Sequence, residues 1–166
     1  MSNSGSFSDL DRAAKLAINE YKDKKDESGE LYINQIKRVA RRGFSNKAKT
    51  VAILNEMIKK NDLTFNTVEY IGFSKDVVAS VGVLTRGKNE LYSNYINRIL
   101  NSDDSTALTI KARELKSEIS YSKLKQLDPS TQEKLRDKYV PTIQALRNQC
   151  RIVRFRRLFG IKTKTK

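Results

Sequence analysis

Basic side chains gather in two places along this sequence. Residues 31–60 carry Lys37, Arg38, Arg41, Arg42, Lys47, Lys49, Lys59 and Lys60 against a single acid, Glu56. Residues 147–166 carry Arg147, Arg151, Arg154, Arg156, Arg157, Lys162, Lys164 and Lys166 and no acid. Clustered guanidinium and ammonium groups attract phosphates, on nucleic acid or nucleotides, and acidic protein surfaces. Across 166 residues, 33 Lys or Arg meet 19 Asp or Glu, a formal charge of +14. Excess lysine that only maintains solubility is the plainer account, but two acid-poor blocks of this density exceed even scatter.

What is missing narrows the chemistry further. The chain has no histidine, so it has no His-Asp-Ser or Cys-His pair, no zincin helix and no imidazole metal ligand. Cys150 is the one cysteine, which removes an internal disulfide and a cysteine-rich zinc site. That usage fits a reducing, cytoplasmic setting. MSNSGSFSDLDRAAK lacks the apolar stretch of a signal peptide, and no run of about 18 apolar residues is present to span a membrane.

The elements that must hold these groups read as helices throughout, in an all-α, single compact multi-helix domain. Two prolines and seven glycines leave long uninterrupted segments. Residues 1–7 are expected to be a flexible N-terminus, 8–160 the helical domain and 161–166 a basic tail. Ser8 and Asp11 resemble a capping box opening a helix to about Lys24, with Leu10, Ala13, Ala14, Ala17, Ile18 and Tyr21 on one face. Asp26–Gly29 reads as a turn. A short helix follows from Leu31 to Arg42, with Ile33, Ile36, Val39 and Ala40 as its stripe, and Gly43 ends it. Ser45 or Asn46 starts a helix to about Lys60 that buries Ala48, Val51, Ala52, Leu54 and Ile58. Thr64 caps a segment stopping at Gly72, and Ser74 one reaching Leu84. Arg86–Asn89 is a turn. Tyr92, Tyr95, Ile96, Ile99 and Leu100 share a face, and a further helix covers about Ser105–Ile119. Ser130 and Glu133 give a second capping signal, opening a helix from about Thr131 to Leu158 that Pro141 should kink or split.

This order of segments resembles a known family. LAINEYKDKKDESGELYINQIKRVA looks like the opening of the RelA/SpoT-type HD phosphohydrolase domain, which hydrolyses the alarmone ppGpp. Lys25-Asp26, Gly29, Tyr32-Ile33 and Val39-Ala40 match its K-D-x-x-G-x-P-Y-I and V-A pattern. VAILNEMIKKNDLTFNTVEYIGFSKDVVASV is similar to the family's His-Asp segment. Leu84-Thr-Arg86 with ELYSNYINRI is similar to its L-T-R and E-S-Y-x-x-Y-I-x-R-I. ALTIKARELKSEI stands where a V-K-L-A-D motif is usual. The resemblance covers roughly residues 10–160 and implies an HD-domain-like fold.

The departures fall on the functional positions. The family holds a divalent metal, commonly manganese, through a histidine, a His-Asp pair and a later aspartate; the matching positions here are Gln35, Asn55, Glu56 and Glu114. Its catalytic Glu-Asp pair corresponds to Lys59-Lys60. An amide oxygen is a weak ligand beside imidazole, and hydrolysis needs a metal to acidify water. Lys59 and Lys60 lie three and four residues after Glu56 on its helical face. Two unit charges about 4 Å apart interact by roughly 4 kcal/mol at an effective dielectric near 20, so these lysines should pair with Glu56 and repel a cation. The resemblance therefore implies a chain without cofactor or metal and without hydrolase activity. The lysines raise a second expectation: a metal-free phosphate site lined by Lys25, Lys59, Lys60 and Lys111. The bland alternative is a decayed pocket with solvated lysines.

At the other end, RNQCRIVRFRRLFGIKTKTK alternates Ile152, Val153, Phe155, Leu158 and Phe159 with arginines. On a helix Arg147, Arg151 and Arg154 share a face. The apolar residues, Phe155 and Phe159 included, are expected to pack inward, which ranks an anionic membrane surface last among uses of this segment. The expected function is binding of nucleic acid or a phosphate-rich nucleotide through the basic surfaces. The rivals are a small regulator or inhibitor that binds an acidic partner protein, and a residual Mg²⁺-dependent (p)ppGpp-type phosphohydrolase using Glu56 and Glu114.

Overall fold

Apolar residues repeating at three and four along nearly the whole chain build helices, and a computed structural model describing residues 8–26 and 29–161 shows them. The expected flexible N-terminus (1–7) and residues 162–166 of the basic tail lie outside the described residues. The helices are α1 (Asp9–Tyr21), α2 (Tyr32–Ala40), α3 (Asn46–Lys59), α4 (Phe65–Ile71), α5 (Lys75–Leu84), α6 (Tyr92–Leu100), α7 (Ser105–Glu118), the single turn α8 (Tyr121–Leu124) and α9 (Pro129–Leu158). The fold class is all-α. The described residues contain no strand, only an isolated antiparallel bridge between Lys25 and Leu31. The helices fall into two units that divide between Thr85 and Arg86.

Most helix starts sit where local chemistry puts them. Ser8 and Asp11 form the reciprocal capping box of α1, Ser45 accepts from Ala48 N–H and Thr64 from Thr67 N–H. Each side-chain oxygen satisfies an amide that the helix leaves unpaired. Gly72 closes α4 in the left-handed region at φ 81°. Ser74 is the N-cap of α5, but its side chain makes no cap bond; its N–H instead donates to Asp9 Oδ2 at 3.1 Å.

Within the first unit α3 is central. Ala48, Thr50, Val51, Ala52, Ile53, Leu54, Asn55 and Met57 are all buried, so this helix is enclosed on nearly every side. α1, α2 and α5 pack on it. Within the second unit α7 plays that part, burying Ala107, Leu108, Ile110, Ala112 and Leu115 against α9 and α6. Thr50 and Thr109 satisfy their hydroxyls on the carbonyls four residues back, at 2.8 Å and 2.7 Å, which makes a polar side chain tolerable in such a helix.

Four expectations need correction. α1 ends at Tyr21 rather than Lys24, and Ile18 is exposed. α9 is capped by Asp128, whose carboxylate accepts from Thr131 N–H at 3.0 Å, with Pro129 in its first turn; Ser130 lies inside the helix. Of the kink or split expected at Pro141, the split does not occur: α9 continues through it. That proline is on the exposed side, where solvent can reach the carbonyl its missing N–H frees. Finally, the terminal apolar residues do not pack inward as a group. Val153 is buried with Ile143, Leu146 and Cys150, whereas Ile152, Phe155, Leu158 and Phe159 are exposed.

Candidate functional site

The candidate positions fall in both units. Lys25, Gln35, Asn55, Glu56, Lys59 and Lys60 belong to the first, and Lys111 and Glu114 to the second.

In the first unit the loop between α1 and α2 folds back on itself. Asp26 N–H donates to Glu30 O at 2.9 Å, Tyr32 N–H to Lys24 O at 2.9 Å, and Gly29 N–H to Asp26 O at 2.9 Å. The Asp26 carboxylate then takes two further donors, Glu30 N–H at 3.0 Å and the Gln35 amide at 2.7 Å. Gln35 thus spends its NH₂ on this loop. Spacing does not single out Asp26, although Lys25-Asp26 is part of the resemblance. Lys25, on the isolated bridge, is exposed.

On α3, Asn55 is 3% exposed and its Oδ1 has no hydrogen-bond partner among the described residues. Glu56 is held by Lys59 at 3.4 Å. Lys60 does not share that carboxylate; its ammonium stands 4.3 Å from the centre of the Tyr32 ring. Close by, the Tyr21 hydroxyl donates to Asp62 at 2.6 Å, and the Tyr21 and Tyr32 rings lie 6.0 Å apart. Burial, then the Asp62 hydrogen bond and charge, push the Tyr21 phenol well above its ordinary range. Of the four lysines expected to line a phosphate site, Lys59 is on Glu56, Lys60 on Tyr32 and Lys25 exposed in this unit, and Lys111 belongs to the second.

A transition-metal ion does not fit the positions that the resemblance assigns to it. Their only carboxylate in this unit is neutralised by Lys59, and amide oxygens are weak ligands for such ions.

The second unit holds a denser charged cluster. Lys111 and Glu114, 5% and 7% exposed, form a buried ion pair at 3.1 Å. The Lys111 ammonium also stands 4.9 Å from the centre of the Tyr95 ring, and the Arg98 guanidinium 5.5 Å from it. Arg98 grips Glu90 with two bonds, 2.8 Å and 2.9 Å. Arg86 donates to the Glu90 carbonyl at 2.9 Å and lies 5.9 Å from the Tyr92 ring, with Lys138 of α9 on that ring at 4.9 Å. Tyr92's hydroxyl is buried without a hydrogen-bond partner among the described residues, and burial first, then Tyr139 and Glu114, push its pKa up to about 12. Arg98 thus holds the Glu90 carboxylate and Lys111 that of Glu114, while Arg86 meets the Glu90 carbonyl and Lys138 the Tyr92 ring. Of these six charged residues, only Lys111 and Glu114 are candidates by sequence. Arg86 and Arg98 belong to the L-T-R and Y-I-x-R motifs, but nothing in the spacing announces that Lys138 reaches Tyr92.

Glu90 makes one consequence measurable. The Arg98 hydrogen bonds, followed by Gly87 N–H, hold its carboxyl down at about 2, from an ordinary 4.5. A carboxylate depressed on folding contributes stability that is complete above its unfolded pKa and vanishes as pH falls through the folded one. Stability should therefore decline between pH 4.5 and about 2, and Glu90→Gln should remove that part of the decline. Matching thermal-unfolding profiles for the two proteins over that interval would contradict the assignment.

Neither a family model nor a curated protein sequence matches the chain.

Proposed function

We propose that this chain is an HD-domain-like binding protein that holds nucleic acid, or a phosphate-rich nucleotide, without hydrolysing it. The observation that carries the reading is the second half of α9. A rigid helix carries Arg147, Arg151, Arg154, Arg156 and Arg157 with no acid among residues 147–158; of these, Arg156 stands 3.9 Å from the Asp103 carboxylate and Arg157 donates to the Asp103 carbonyl. Arg147 and Arg151 are exposed, and no carboxylate among the described residues holds them. Arg154 reaches Thr109 at 3.3 Å, which fixes the same edge. From Arg147 to Arg154 this edge runs about 10 Å, at about 1.5 Å rise per residue. At the end of α2, Lys37 and the C-cap residue Arg41 supply a second exposed basic surface. Loss of hydrolysis is supported by Glu56 being occupied by Lys59 and by amides at both positions where the resembling family has metal-binding histidine.

Displacement of counterions from phosphates makes such binding steeply salt-dependent. Fluorescence anisotropy with labelled single- and double-stranded oligonucleotides should show affinity falling across a salt titration. Replacing Arg147, Arg151 and Arg154 by serine should lower the log–log slope by about one for each phosphate no longer neutralised. An affinity indifferent to salt would defeat the reading.

A further inference from the structure

The end of α9 presents apolar side chains that neither the core nor the nucleic-acid reading uses. Successive residues turn by about 100° around a helix. Leu146, Cys150 and Val153 share the arc buried in the second unit. Phe155 lies about 180° from Leu146, Phe159 about 220° and Ile152 about 240°. These side chains are 58%, 61% and 45% exposed, and Leu158 beside them is 79% exposed. The Phe155 and Phe159 ring centres are 4.5 Å apart, so the rings make one continuous apolar surface.

The helix end is fixed. Ile161 N–H donates to Arg156 O at 2.9 Å and Gly160 N–H to Arg157 O at 3.4 Å, with Gly160 at φ 64°. This is the paired closure that terminates a helix on a left-handed glycine. It leaves Ile161 exposed next to the rings. Arginines border the surface on both sides: Arg154, which also reaches Thr109, at about 80° and Arg156, which stands 3.9 Å from the Asp103 carboxylate, at about 280°, with Arg151 at about 140° within it.

We infer that this surface is a seat for an anionic lipid bilayer: the rings, Ile152 and Leu158 enter the headgroup boundary, and the flanking guanidinium groups meet lipid phosphates. The charge pattern is complementary to that occupant. A flat anionic surface places phosphates on both sides of an inserted apolar strip, where these arginines stand. An apolar face with basic residues along its borders is what an interfacial helix requires, and arginine stems can reach outward to the headgroups. Stacked bases account for the pattern less well, because the two isoleucines and Leu158 offer no ring face. The inference goes beyond the nucleic-acid reading: the two share Arg151 and Arg154, but only this one uses the rings, which is why the test replaces the rings and leaves the arginines in place.

The chain contains no tryptophan, so Phe155→Trp gives a single reporter at the proposed contact. Its emission should shift to the blue on adding mixed phosphatidylglycerol–phosphatidylcholine vesicles and stay unchanged with pure phosphatidylcholine. In co-sedimentation the double variant Phe155→Ser, Phe159→Ser should bind the anionic vesicles about tenfold more weakly or worse, since affinity follows the apolar area inserted. Its unfolding temperature should match the parent's, because both rings are exposed. Failure of the parent to bind anionic vesicles at low salt overturns the inference. Undiminished binding by the double variant also overturns it, leaving surface charge alone. A blue shift produced by oligonucleotides or an acidic peptide, but not by vesicles, overturns it in favour of those partners. None of these results alters the salt test of the Arg147 edge.

Discussion

Lys111→Ala is expected to cost about 3–5 kcal/mol of folding stability, the usual penalty for removing one partner of a buried ion pair. The Glu114 carboxylate would stay 7% exposed after losing an ammonium 3.1 Å away, and the Tyr95 ring would lose the cation on its face. Replacing both partners by apolar residues of similar volume, Lys111→Met with Glu114→Leu, should recover most of the loss, because the double change also removes the cost of keeping two charges out of water. Denaturant titration of the parent, the two single variants and the double variant measures the coupling. A loss under about 1 kcal/mol for Lys111→Ala would show the pair to be open to water, and would return Lys111 to the lysines available to a ligand. The result thus bears on function: a lysine committed to Glu114 is a poor phosphate ligand unless the phosphate displaces that carboxylate.

Gly43→Ala should be the most damaging single-methyl change in the first unit. A Cβ built there would stand 2.3 Å from the Lys49 backbone nitrogen and 2.6 Å from the Ala48 carbonyl carbon. Both belong to the first turn of α3, so no side chain can rotate aside. The turn itself would have to move, and Ser45, which caps it through Ala48 N–H at 3.2 Å, would move with it. Forced overpacking of this kind costs about 1–3 kcal/mol, occasionally more, and the upper end is expected here. Calorimetric unfolding of Gly43→Ala beside the parent checks it. An unchanged transition would mean that α2 and α3 separate easily. The same shift would disturb the basic face of α2, so oligonucleotide affinity should weaken as well.

Most of the helical architecture was legible because its signals are local. A hydroxyl or carboxylate three residues before a free amide marks a helix start wherever the chain folds, so the starts at Ser8, Ser45 and Thr64 could be placed directly. Asp128 shows where that reasoning slips. Two capping groups lie within three residues, and Pro129 decides between them by fitting the first helical turn. The candidate site was less legible. Glu56 with Lys59 follows from their spacing on one helix, but Lys60 had the same claim by spacing and went to Tyr32, a residue on α2. Lys138 meets Tyr92 across elements far apart in the sequence, and no local pattern encodes such a meeting.

Composition, period and capping chemistry, all properties of neighbours along the chain, by themselves determined that this protein is helical, that it lacks imidazole chemistry and that two stretches are strongly basic. Only tertiary packing decided which side of a helix is buried. α9 has apolar residues on two arcs, and α7 takes the one with Leu146, Cys150 and Val153, leaving Phe155 and Phe159 to solvent. Burial depends on what another segment brings within reach, a quantity that a helix's own sequence does not contain.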